Sequence, residues 1–185
     1  RTVFYDGFDG KRLDRAKWTV RASDDVVNDE QQLYVDDDAT LRIVHGAAAA
    51  GADHGALALR AVWTPGQRGP KEQRFDFRSA RLDTRGKFAF EHGVAAARMK
   101  LPAGSGLWPA FWILGDGDWP AIGEIDVMEN TGDRDWVSAA LHGPGYFGDT
   151  PLVNRGYFPQ GQDITGWHVY AVAWSSEALV FTIDD

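Results

Sequence analysis

The stretch Trp119–Asn130 has the sequence WPAIGEIDVMEN and contains three acidic residues. Acidic and apolar residues alternate in it over Glu124–Val127. A period of two is typical of a β-strand with one face in the core. Glu124 and Asp126 therefore share one face of this strand, and the apolar residues that follow each of them point into the core. The pattern predicts a strand over Ile122–Glu129.

The third acid, Glu129, would fall on the core face if the strand were regular. An unpaired carboxylate among apolar side chains is costly, so a regular strand is unfavourable here. One extra residue in the strand returns Glu129 to the face of the other two acids. We therefore predict a β-bulge near Val127–Met128.

With the bulge, Glu124 and Glu129 are spaced like residues four apart, about 13 Å between Cα atoms at ~3.3 Å per residue. Two glutamate side chains that lean together can bring their carboxyl groups to about 5 Å, the separation used by retaining glycosidases. Asp126 between them can hold the nucleophile in place and share a proton. A hard cation such as calcium also suits three carboxylates, although calcium loops are richer in Asp and Asn. The spacing alone leaves catalysis, a cation site and a solvated strand face open.

The rest of the chain is also strand-like, with short alternating runs broken by Gly, Pro, Asp and Asn. No segment shows a helical stripe of ten or more residues, and the Ala-rich piece Gly46–Ala58 is expected to be a loop or, at most, a helical turn or two. Neither face of Val169–Trp174 is charged, which indicates burial on both sides. Many short strands predict an all-β antiparallel sandwich or jelly roll. The other predicted strands are Leu41–Val44, Leu57–Trp63, Gly93–Met99, Ala110–Leu114, Trp136–His142, Trp167–Trp174 and Leu179–Ile183.

Composition narrows the functional classes. A chain of 185 residues predicts one domain, residues 1–185. The net charge of −8 argues against nucleic acid and favours a neutral polymer over a polyanion. The absence of cysteine excludes disulfides, thiolate metal sites and cysteine nucleophiles. Eight Trp, five Tyr and ten Phe supply ring faces that can stack on sugars, although most are expected to pack in the core.

The compartment is predicted from the N-terminal sequence and the apolar runs. No apolar run is long enough to span a membrane, and Arg1–Phe8 lacks the apolar region of a signal peptide. We expect the mature form of a secreted, extracellular protein. No membrane partner is expected.

The segment Gly123–Asn130 resembles the signature of glycoside hydrolase family 16, in its laminarinase-like branch. Segments before and after it resemble the family in the same order along nearly the whole chain. These are Phe8–Gly10, Leu13–Asp14, Lys17–Trp18, Asn28–Tyr34, Ser79–Arg81, Phe90–Gly93, Ala97–Lys100, Gly106–Trp112 and Leu141–Tyr146.

The resemblance implies a β-jelly-roll sandwich with a substrate cleft across its concave sheet. It makes Glu124 the nucleophile, Glu129 the acid/base and Asp126 the supporting acid of a retaining mechanism. The inserted Met128 is the form seen in laminarinase-like members, whereas the branch devoted to mixed-linkage glucan usually lacks it. We therefore expect internal cleavage of β-1,3-glucan.

Six further residues match positions that contact the substrate in the family. Trp108, Trp112 and Trp119 match cleft aromatics, with core packing as the alternative for Trp112. His142 matches a cleft histidine that faces the middle acid. Asn28 and Arg81 match positions that hydrogen-bond sugars, with a surface cap and a salt bridge as their alternatives.

The chain ends earlier than family members do, so we expect the sandwich to lack its C-terminal strands. A structural calcium ion is possible, but the later segment normally supplies one of its ligands, and that ligand is absent from this chain. No cofactor is expected for catalysis, and the other histidines lack a metal-ligand spacing. A neutral polysaccharide and a monomer are expected. The alternatives are a non-catalytic β-glucan-binding module, an enzyme that acts on galactan or agarose, and a transglycosylase.

Overall fold

The computed structural model describes residues 1–184 and confirms an all-β chain. The described residues form fourteen strands and one 3₁₀ helix, Gly46–Ala49. The strands are β1 (Thr19–Arg21), β2 (Gln32–Tyr34), β3 (Leu41–His45), β4 (Gly55–Leu59), β5 (Val62–Arg68), β6 (Arg74–Ser79), β7 (Arg81–Asp83), β8 (Gly93–Lys100), β9 (Ala110–Leu114), β10 (Glu124–Glu129), β11 (Trp136–His142), β12 (Leu152–Tyr157), β13 (Trp167–Trp174) and β14 (Leu179–Ile183).

The chain divides into two compact units, the first being Arg1–Ala89 and the second beginning at Phe90. The prediction of one domain over residues 1–185 stays a prediction. In the first unit, β1 pairs with β7, β3 pairs with β4, and β2, β6 and β5 form a three-stranded sheet. The β2–β6 pair is parallel, in contrast to the antiparallel pairing expected throughout. Leu13, Leu41 and Ala80 form the core of this unit.

The second unit contains two antiparallel sheets, β12-β11-β10-β9 and β14-β13-β8. Met128 and Val137 come from the first sheet, and they pack against Tyr170 of the second. Leu101 and Ile164, which flank the strands, complete this core. The two sheets therefore bury one face of β10 and leave its other face, which carries the acids, on the outside of the sandwich.

Most strand predictions are confirmed, and the bounds of β9, β11, β13 and β14 coincide with the predicted ones. The single strand predicted over Leu57–Trp63 is wrong, because the chain changes sheets at Arg60: β4 pairs with β3 and β5 with β6. The backbone N–H of Arg60 still donates to the carbonyl of Thr40 at 2.8 Å, in register with the β3–β4 ladder, and the chain leaves that ladder after Arg60. The Gly46–Ala58 segment holds the 3₁₀ helix and most of β4.

The core prediction for Val169–Trp174 is confirmed only in part. Tyr170, Ala171 and Val172 are buried, as expected for a strand covered on both faces. Ala173 is exposed, because it lies towards the end of β13, where the cover over one face stops.

Met128→Ala tests the core that holds β10 in place. Met128 has no exposed surface, so the truncation leaves a cavity and should cost about 2–5 kcal/mol in the free energy of unfolding. Val180→Ala on β14 is the matched control, because 54% of Val180 is exposed. Equal denaturation midpoints in urea for the two variants would contradict this packing.

Candidate active site

The strand β10 carries the β-bulge that the acids require. Glu124 pairs with Leu114 on β9, and Glu129 pairs with Ala110. Five steps on β10 therefore match four steps on β9, and the register shift follows directly after Asp126. The pairing of β10 with β11 shows a shift over the same stretch. Residues paired across a sheet share a face, so Glu124, Asp126 and Glu129 project together.

The physical origin of the bulge lies in the two residues between Asp126 and Glu129. Val127 is 5% exposed and Met128 is fully buried, so two consecutive apolar side chains enter the interior. A regular strand buries only alternate residues. The bulge lets both residues be buried and returns Glu129 to the outer face.

Asn130 anchors the end of this strand and was not singled out from the sequence. It is fully buried, and its side-chain amide donates to the carbonyls of Asp133 at 2.8 Å and Trp136 at 2.6 Å. Its side-chain oxygen accepts from the backbone N–H of Gly132 at 2.7 Å. These bonds fix the turn that follows Glu129. The only sequence signal was a polar residue directly after the buried pair.

Asp126 is the most enclosed of the three acids, with 4% exposure. Burial first, and then the charges of Glu129 and Glu124, raise the pKa of Asp126 to about 8. Nε2 of His142 lies 3.2 Å from Oδ2 of Asp126, and the His142 side chain is itself largely buried. At neutral pH the Asp126 carboxyl therefore retains a proton that it can share with its neighbours.

Glu129 is paired with an aromatic hydrogen-bond donor. The indole N–H of Trp108 donates to Oε1 of Glu129 at 2.8 Å. Burial raises the pKa of Glu129, while the Trp108 hydrogen bond and the nearby His142 act in the opposite direction, and the charge of Glu124 raises it further. The net result is a carboxyl whose pKa is raised, as an acid that must deliver a proton requires.

Glu124, at the other end of β10, also accepts a hydrogen bond from an indole N–H. The indole N–H of Trp119 donates to Oε2 of Glu124 at 2.7 Å. The Trp119 ring packs edge-on against Phe147 at 5.4 Å between centroids and lies 5.9 Å from the His142 ring. Trp119 is 45% exposed, so its ring also offers a surface to a ligand.

The structure brings together seven of the nine residues predicted for the site. Trp112 on β9 is half-buried and is the direct partner of Asp126, so it lies on the face of the acids. Asn28 and Arg81 lie in the first unit, where Asn28 is an exposed residue with φ of 53° and Arg81 pairs with Arg21 across β7 and β1. Their contacts with sugars stay predictions. The seven are Glu124, Asp126, Glu129, Trp108, Trp112, Trp119 and His142.

Two further features of the described residues concern metals and membranes. Over residues 1–184, no group of three or more His, Asp or Glu side chains is placed to surround a metal ion, and this includes the three acids. The calcium interpretation of the acidic strand therefore gains no support from the donor geometry. None of the helical segments in the same residues has the length and hydropathy to cross a bilayer.

An outward strand face with paired carboxyls between indole donors is typical of a glycoside hydrolase. Residues 17–185 match the family described as Glycosyl hydrolases family 16. The chain belongs to this family.

Two curated relatives and one solved structure illustrate the similarity. Glucan endo-1,3-beta-glucosidase A1 of Niallia circulans is 28% identical over 202 residues, covering 98% of this chain and 28% of the relative. The Beta-glucanase of Rhodothermus marinus is 37% identical over 117 residues, covering 60% of this chain and 41% of the relative. The chain thus spans less than half the length of these relatives.

The endo-beta-1,3-glucanase from Pyrococcus furiosus superposes on all of this chain with a TM-score of 0.81 at 28% identity, and 71% of that structure is covered. The match extends over the whole chain and confirms the jelly-roll fold class.

Asp126→Asn tests the electrostatics of the site. A carboxyl whose pKa is about 8 in the folded chain and about 3.9 when unfolded keeps a proton that the unfolded chain releases. The free energy of unfolding therefore falls as pH rises from about 4 to about 8. The amide removes this decline, so the variant should match the native chain near pH 4 and exceed it at pH 8 by on the order of 1 kcal/mol or more.

Urea denaturation at a series of pH values measures this difference. Asp149→Asn, at an exposed position, is the control and should follow the native curve. Parallel curves for Asp126→Asn and the native chain would show that the buried carboxyl is ionised at neutral pH.

Proposed function

We propose that this chain is a retaining, endo-acting hydrolase of β-1,3-glucan that works through a covalent glycosyl-enzyme intermediate. The observation that carries the proposal is the bulged strand β10, on which Glu124 and Glu129 share one face and each accepts an indole hydrogen bond. Family membership supports hydrolysis of a glycosidic bond. The names of its relatives, endo-1,3-beta-glucosidase and endo-beta-1,3-glucanase, support the linkage.

In the first step, a Glu124 oxygen attacks the anomeric carbon while Glu129 gives its proton to the departing glycosidic oxygen. The carbon–oxygen bond to the leaving sugar breaks as the ester to Glu124 forms. The raised pKa of Glu129 favours the protonated form that this step requires. The Trp119 hydrogen bond orients the attacking carboxylate.

In the second step, Glu129 removes a proton from water, which attacks the same carbon and releases Glu124. Glycosylation neutralises Glu124, and the loss of that charge lowers the pKa of Glu129. The same residue can therefore act as acid in the first step and as base in the second. Asp126 stays between them on the same face and holds a proton, with Nε2 of His142 at 3.2 Å from its Oδ2.

Substrate recognition is proposed to rest on ring faces and neutral hydrogen-bonding groups. Trp108 and Trp119 are about half exposed and flank the two glutamates, where their rings can stack on sugars. Trp112 is half-buried on the same face, next to Asp126. Asn28 and Arg81 are proposed to hydrogen-bond sugar hydroxyls.

The proposed setting follows from the substrate. A polymeric glucan is cleaved where it occurs, outside the cell, so we propose that the protein is secreted. We also propose that it is a monomer. No cofactor takes part in the steps above, because the carboxyl groups provide nucleophile, acid and base.

Glu124→Gln tests the nucleophile. The amide cannot form the glycosyl ester, so kcat on laminarin should fall by at least about 10³-fold, while laminari-oligosaccharide binding measured by calorimetry is retained. Glu177→Gln is the control, because Glu177 is exposed at the turn between β13 and β14. Products of retained configuration from the native chain, detected by NMR, identify the mechanism.

The same assay, run with agarose and mixed-linkage glucan, decides the substrate. Cleavage of agarose or galactan in place of laminarin would leave the proposed roles of the acids unchanged but replace the proposed substrate. Oligosaccharide binding without products would assign the chain to glucan recognition. Products longer than the starting oligosaccharides would identify transglycosylation.

Trp108→Phe tests the acid/base. The substitution keeps a ring but removes the indole N–H that stabilises the Glu129 carboxylate, so the pKa of Glu129 rises. The alkaline limb of kcat/KM, which requires a protonated acid, should move to higher pH by about half to one pH unit. Trp63→Phe in the first unit, where Trp63 is 69% exposed, should leave the profile unchanged. An unmoved limb in Trp108→Phe would remove Glu129 from the role of acid.

A further inference from the structure

The face that carries the acids continues across β11 onto β12. Glu129 pairs with Ser138, and Ser138 pairs with Arg155, so these three residues form one row across the sheet. Trp136 and Tyr157 form the neighbouring row on the same face, two residues along each strand. Arg155 therefore lies two strand spacings, about 10 Å, from the acid/base along the sheet.

Arg155 is held in place by an aromatic ring. Its guanidinium carbon lies 4.0 Å from the centre of the Trp136 ring, a close cation–π contact. Arg155 is exposed and makes no ion-pair contact with a carboxylate of residues 1–184, although its charge, after local hydrogen bonds, helps to lower the pKa of Asp133. Stacking fixes the plane of the guanidinium while leaving its N–H groups directed at solvent, which reduces the entropy lost when it donates to a ligand.

Tyr157 completes this surface. It is 66% exposed although it stands directly opposite Trp136, so its ring face is open to solvent. An exposed aromatic ring next to a planar hydrogen-bond donor matches a pyranose, which presents an apolar C–H face and hydroxyl groups at its edge. The surface is continuous with the row of Glu129, the residue that protonates the departing oxygen.

We propose that Trp136, Arg155 and Tyr157 form a subsite for a sugar on the leaving-group side of the scissile bond, beyond the sugar that Glu129 protonates. Arg155 donates to two hydroxyls of that sugar, Tyr157 stacks on its ring, and Trp136 positions Arg155. This inference rests on the proposed function, because it assigns a leaving group to the Glu129 side of the strand. Short substrates do not reach this subsite, so it contributes to the preference for polymer over short substrates.

The experiment compares two substrates that differ on the leaving-group side. Laminari-oligosaccharides place sugars in this subsite, whereas an aryl β-laminaribioside releases a phenol and leaves the subsite empty. Arg155→Ala and Tyr157→Ala should each lower kcat/KM on the oligosaccharide by about tenfold and leave aryl glycoside cleavage unchanged. Arg155→Lys keeps the charge but loses the planar donor, so it should show most of the loss.

Arg98→Ala is the matched control. Arg98 lies 5.0 Å from the centre of the Trp167 ring on the other sheet of the same unit, and its removal also abolishes a cation–π contact. It should leave the ratio of the two activities unchanged. Transfer of the glycosyl group to an added oligosaccharide acceptor should fall in Arg155→Ala, because the acceptor occupies the same subsite.

Three results would overturn the subsite. They are equal losses on both substrates, unchanged activity on both, and a ratio that also changes in Arg98→Ala. If the native chain cleaves no glucan, the proposed function fails by itself. Calorimetric binding of laminari-oligosaccharides then tests the surface directly, and unaltered affinity in Arg155→Ala and Tyr157→Ala would reject it.

Discussion

The bulge in β10 is the constraint on which the site depends. Val127 and Met128 are adjacent in sequence, and both are buried, which a regular strand does not allow. Resolving this conflict by a bulge costs the sheet one regular pair, but it stabilises the core and keeps Glu129 out of it. The same packing that holds the two sheets of the second unit together therefore sets the spacing of the two glutamates. Core and chemistry are coupled through Met128.

The three acids on one face repel one another when they are charged, and their surroundings affect each carboxyl group differently. Asp126 is enclosed and has a pKa of about 8, so at neutral pH the group holds a proton instead of a third charge. The outer acids lie where indole N–H groups reach them, and each is offered a donor that favours its ionised form. Along one strand, the central carboxyl of Asp126 thus holds a proton, while the outer carboxyls of Glu124 and Glu129 accept indole hydrogen bonds. A like-charge cluster of this kind is destabilising, and it is retained where chemistry needs shifted pKa values.

Alternation and the cost of burying a charge were enough to predict the bulge, the shared face and most strand bounds. Interactions between distant parts of the chain were not predictable in the same way. The chain leaves the β3–β4 ladder after Arg60 and pairs with β6 instead, and no local sequence pattern predicts this change of partner strand. Alternation also assigns a residue to a face without giving its rotamer, so the indole bonds of Trp108 and Trp119 to the glutamates emerged only from the structure. Asn130 was missed because its partners are backbone carbonyls in a turn that it helps to create.

The acidic strand and the substrate surface obey different physical rules, which explains why resemblance identifies the chemistry more firmly than the substrate. Cleavage by a retaining glycosidase needs two carboxyl groups at one separation, and the bulged strand places both glutamates on one face. The proposed recognition of a polymer rests instead on neighbouring strands, where Arg155 and Tyr157 are exposed and are not constrained by the core. Replacing Tyr157 alters a surface, whereas replacing Met128 alters the fold and the catalytic spacing together. Substrate preference can therefore vary along β11 and β12 while the chemistry of β10 stays unchanged.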